Sequence, residues 1–198
     1  MQTRVRIILT VVLGVSISAW VKAADLHESG QQTCYDETGN QLTECTGTLQ
    51  DGDLMPGIAW PSPRFIRGTG NESNCIIDRL TGLMWVRNPL DVALDWLTAV
   101  DTAGSSTICG HSDWRLPNVI EMHSLVNYDV ADSAAWLNAQ GFGDNILNHE
   151  MHWTSTTFSP DPATAWIVNL DVSNGNSAPA GVFGKSALNY ILPVRSIN

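Results

Sequence analysis

From residue 152 onward, apolar and polar positions alternate with a period of two and β-branched residues accumulate. This predicts strands over His152–Thr156, Ala163–Leu170 and Leu188–Arg195, with Ala180–Phe183 as a fourth and Ser173-Asn174-Gly175-Asn176 as a hairpin turn. Before that point the pattern is shorter and mixed. Cys75–Asp78 and Leu83–Val86 are apolar runs around the turn Arg79–Gly82, and Phe65-Ile66 is a further short strand. Val92, Ala93, Trp96, Leu97, Val100 and Ala103 recur at helical spacing after Asn88-Pro89, so a helix is expected over 89–103, with Trp96 and Leu97 inward and Gly104 as its stop. A second, shorter helix is expected over 118–126. Asn118 is its N-cap and Glu121, three residues on, reaches back to close a capping box. Asp132–Gln140 holds a weaker helical turn with Trp136. Helices in the middle and antiparallel strands at both ends define an α+β domain.

The N-terminus changes the picture of where this domain works. Arg4 and Arg6 precede the uncharged run Ile7–Val21, and Val21-Lys22-Ala23 is a small-x-small cleavage pattern. Residues 1–23 therefore read as a secretory signal peptide, since a run of fifteen residues falls short of the ~20 that span a bilayer. The expected address is periplasm, cell surface or medium. Residues 24–32 lack an apolar pattern and read as a disordered lead, followed by a single domain over 33–198. Cleavage after Ala23 leaves 175 residues, seven basic against twenty acidic, a net charge of −13. That balance argues against nucleic acid and anionic lipid as partners.

Four cysteines in an exported chain read as two disulfides. Cys34 and Cys45 flank a segment centred on the turn signal Gly39-Asn40 and are paired with each other, closing an N-terminal hairpin over about 33–46. Cys75 and Cys109 then form the longer link. A catalytic Cys109 activated by His111 requires Cys75 to be free as well.

The most distinctive stretch is Asp113-Trp114-Arg115-Leu116-Pro117-Asn118, with Glu121 and Ser124-Leu125 behind it. It stands in order with Thr81-Gly82-Leu83-Met84-Trp85 before it, then Trp153-Thr154-Ser155-Thr156, Ala165-Trp166 and Pro193-Val194-Arg195 after it. This order resembles a bacterial family typified by the C-terminal domain of a collagen-like adhesin, a domain of unknown function, over residues 33–196. The resemblance implies a C-type-lectin-like fold related to the formylglycine-generating domain, and a surface or secreted binding role. For the adhesin it implies sulfated glycosaminoglycans as ligands. Sulfate recognition draws on clustered Lys and Arg, and after leader removal this chain offers Arg64, Arg67, Arg79, Arg87, Arg115, Lys185 and Arg195.

Three residues stand out as ligand-binding candidates. Arg115 is a guanidinium on a rigid turn, to be weighed against a structural arginine tied to backbone or carboxylate. Trp60 and Trp136 lie in less regular stretches and are candidate stacking platforms, whereas Trp85, Trp114, Trp153 and Trp166 read as core anchors. Asp113, Trp114, Asn118 and Glu121 form the structural keystone. No metal is expected: His149-Glu150-Met151-His152 lacks the His-x-x-x-His spacing of zinc helices, and the calcium signatures of sugar-binding lectins are absent. No cofactor and no catalytic set is expected either, because Ser112 beside His111 and Ser124 beside His123 are chain neighbours that do not face each other. The sequence thus points to an exported, non-catalytic binding or adhesion module of the envelope, with a glycan or envelope protein as ligand. The competing readings are an oxidoreductase using Cys75 and Cys109, and a self-associating structural protein.

Overall fold

Two apolar runs joined by a tight turn make the first sheet. In a computed structural model describing residues 26–148, 151–171 and 179–197, β2 (Cys75–Asp78) and β3 (Leu83–Val86) pair antiparallel, from Cys75 opposite Val86 to Asp78 opposite Leu83. Gly82 closes the turn at φ 68°, where a Cβ would be strained. β1 (Phe65–Arg67) flanks β2, and the C-terminal β7 (Val194–Ser196) flanks β3, so the first and last of these strands share one sheet of order β1-β2-β3-β7. The second sheet is the antiparallel series β4 (Met151–Thr157), β5 (Thr164–Asn169) and β6 (Ala180–Gly184). The α+β class stands. The hairpin turn expected at Asn174-Gly175 and the leader at 1–23 lie outside the described residues.

Short helices fill the space around the sheets: α1 (Asp51–Leu54), α2 (Trp96–Gly104), α3 (Val119–His123), α4 (Ser133–Ala139) and α5 (Asn145–Asn148). The largest core cluster packs Trp85 and Ile76 of the first sheet against Met122, Leu125, Leu137 and Phe142. A second cluster gathers Trp153, Ile167, Leu116 and Ile191 with Ala99 and Ala103 of α2.

Four expectations are corrected. The helix expected from Pro89 begins at Trp96, because Asp95 caps it by accepting from the Thr98 amide at 3.0 Å, while Leu94 exchanges both backbone hydrogen bonds with Asn189. That later start turns Leu97 outward, 63% exposed, and gives the buried face to Ala99 and Ala103. The strand expected over 188–195 reduces to β7 preceded by bridges at Asn189 and Tyr190, since Pro193 has no amide to donate to a ladder. The region 47–63, read as irregular, contains α1, with Asp53 accepting from the Gly47 and Leu49 amides just before it. Finally, the lead expected to be loose through residue 32 is held from residue 26: the Glu28 amide donates to the Ile58 carbonyl and the Ile58 amide to the Leu26 carbonyl, and Asp129 accepts from the amides of Gln32 and Thr33 at 2.9 Å each.

Candidate functional site

The Asp113–Asn118 run builds its helix as its chemistry dictates. The Asn118 side chain accepts from the Glu121 amide at 2.9 Å and the Glu121 carboxylate accepts from the Asn118 amide at 2.8 Å, the reciprocal capping box. Both Glu121 oxygens also take the Arg115 guanidinium at 2.7 Å. Burial works to raise the Glu121 pKa, but Arg115 and the Asn118 amide outweigh it and hold it low. Arg115 is thereby tied to a carboxylate although its side chain remains 44% exposed. Asp113 accepts from Arg195 of β7 at 2.7 and 3.2 Å, and that bond keeps its pKa low. Trp114 is buried and donates to the Ile108 carbonyl at 3.0 Å. Both disulfides, Cys34–Cys45 and Cys75–Cys109, are formed, leaving no free cysteine.

What the helix presents to the outside is a cleft. One hollow of about 230 Å³ and another of about 180 Å³ share His27, Ile120 and Ser124, and so run together along α3. Asn118, Ile120 and Glu121 come from the capped helix end, His123 is the last residue of the helix, and Tyr128 lies past it. The opposite wall is the segment Leu26–Ser29 with Trp60 behind it. Ile120 is 71% exposed, an apolar side chain on the face away from buried Met122. His123 Nε2 and the Tyr128 hydroxyl are 3.0 Å apart. Burial lowers the His123 pKa and raises that of Tyr128. The His27 pKa is lowered as well, by burial first and then by the Arg64 charge. Both rings are therefore neutral at pH 7, each with one donor and one acceptor nitrogen. A further hollow of about 250 Å³ lies beyond Tyr128 and Val126, and its rim at Pro179 adjoins residues outside those described.

Beneath the cleft is a buried ion pair. Arg64, 4% exposed, donates to Asp78 at 3.0 and 2.8 Å and to the Ser124 carbonyl at 2.8 Å, fixing the end of α3 to the first sheet. Its guanidinium lies 4.5 Å from the Trp60 ring centre, and Trp60 packs on Trp136 at 5.3 Å. The two candidate tryptophans are thus brought together, half-buried, with Phe65 edge-on to Trp136. Trp60 borders the cleft and donates its indole N–H to the Glu28 carbonyl at 2.9 Å, while Trp136 and Arg115 do not line the cleft.

Sequence reasoning missed His27, Glu28, Ile120, His123 and Tyr128 as a group. The readable signal was Ile120, an apolar residue out of phase with Val119 and Met122 in the helix. Of the zinc proposal, His149 and Glu150 fall outside the described residues, and His152 is buried in β4.

A search of the curated proteins finds no match to this chain. The family described as the Lcl C-terminal domain matches residues 74–195. That span includes α3 and its capped motif but stops short of the wall at 26–29 and of Trp60.

Proposed function

The chain belongs to the Lcl C-terminal domain family, and from that premise we propose that it is an exported, non-catalytic binding or adhesion module of the bacterial envelope or surface, whose ligand, a glycan or a protein, seats in the cleft over α3. The observation that carries this reading is the cleft itself. It joins an exposed isoleucine, two neutral imidazoles and a carboxylate between a capped helix and a tethered segment, the mix of apolar surface and a few placed polar groups that small ligand sites use. Pairing of all four cysteines supports a binding module over a thiol-dependent oxidoreductase, and is consistent with an oxidising compartment. Among the described residues no helix is long and apolar enough to cross a membrane. The test is a glycan array combined with pull-down from an envelope extract. A saturable ligand is expected, and its absence from both would overturn the proposal. Light scattering on the same protein addresses the self-associating alternative.

A further inference from the structure

We propose that the occupant of the α3 cleft is an uncharged saccharide chain, and that the segment outside the family-matched residues supplies its selectivity through His27 and Glu28. This rests on the reading of the cleft as the ligand site.

Each of the seven basic side chains among the described residues already has a partner. Arg64, Arg115 and Arg195 sit on the carboxylates of Asp78, Glu121 and Asp113. Arg67, Arg79 and Arg87 donate to the carbonyls of Ser73, Pro63 and Gly141. Lys185 donates to Thr157 and lies over the Trp96 ring. None of the seven lines the cleft, so a sulfated or phosphorylated chain seated there would meet no counter-charge from them, and would approach a strongly acidic molecule.

The cleft is built for the opposite kind of ligand. Glu28 lines it, and its carboxylate has no partner among the described residues, so it repels anions and accepts hydroxyl donors. His27 and His123, both kept neutral, donate and accept, as sugar hydroxyls do in return. Ile120 and Leu26, exposed by 71% and 68%, offer apolar surface to the C–H face of a pyranose ring. A peptide strand is less well served. The Glu28 amide is spent on Ile58 and its carbonyl on Trp60, so the wall is a poor template for adding a strand.

Titration calorimetry of the purified chain tests this, using short neutral hexose and N-acetylhexosamine oligomers beside a heparin-derived sulfated oligomer. At least one neutral oligomer is expected to bind saturably and the sulfated one not to bind. Glu28→Gln and Ile120→Glu, both at accessible positions, are each expected to weaken neutral binding about tenfold or more, with unfolding midpoints checked to show that the fold persists. Tighter binding of the sulfated oligomer, or neutral binding that neither substitution changes, overturns the proposal while the chain remains a binding module. Capture of an envelope protein with no oligomer bound overturns it in the same way, and the absence of any ligand overturns both readings.

Discussion

Glu121 does two jobs with one carboxylate, and the consequences of removing it differ from those of removing either partner. It closes the capping box with Asn118 and receives both ends of the Arg115 fork. Asn118→Ala loses the cap and is expected to cost about 1 kcal/mol. Arg115→Ala loses an ion pair that is partly solvated, expected to cost at most about 1 kcal/mol. Glu121→Ala removes both interactions and should exceed either single loss, which urea unfolding of the three variants will show. Because the pKa values of Glu121 and Asp113 are lowered in the folded chain, their contribution is present above the ordinary carboxylate range and is lost as pH falls through the lowered values. Arg64 is a different case. It and Asp78 are both buried, so Arg64→Met leaves an uncompensated carboxylate in the core and is expected to cost about 3–5 kcal/mol by the same measurement.

Elements whose signal is local were legible, and those decided by a distant partner were not. β2 and β3 stand at their expected residues because each is an apolar run bounded by a turn that Gly82 makes easy. The capping box was written in Asn118 and Glu121, and the Cys34–Cys45 hairpin in its Gly-Asn turn. Two signals competed for the start of α2, Asn88-Pro89 and Asp95. Asp95 won because Asn189 claimed the backbone of Leu94, a contact across 95 residues that no window along the chain contains. The same holds for β7 beside β3. Cys75–Cys109 ties the end of one sheet strand to the loop before Trp114 and spans a separation of 34 residues. Replacing both with Ala is expected to cost about 3–4 kcal/mol on the chain-entropy account, read as a lower urea midpoint, with the first sheet retained by circular dichroism.

At the scale of the molecule, the candidate site escaped the sequence because its two walls lie far apart in the chain and one of them looked featureless. Leu26–Ser29 has no periodicity, and its order comes from Ile58, Trp60 and, through Gln32 and Thr33, Asp129. Arg115 and the tryptophans attracted notice as conspicuous side chains, yet the cleft is made mostly of ordinary ones. That construction gives the molecule a response to mild acid. His27 and His123 have folded pKa values below the ordinary 6.5, both chiefly through burial. The unfolded chain therefore takes up protons first, so their contribution is intact above about pH 6.5 and declines as pH falls toward the lowered values. Over the same interval, below pH 7 and above the carboxylate range, the acidic shell keeps its charge, and self-repulsion changes little. Unfolding free energy is thus expected to fall between pH 7 and about pH 5, and the double substitution His27→Gln with His123→Gln to flatten that slope. Urea unfolding at a series of pH values measures both. A wild-type slope that the substitution leaves unchanged would place the acid response elsewhere in the chain.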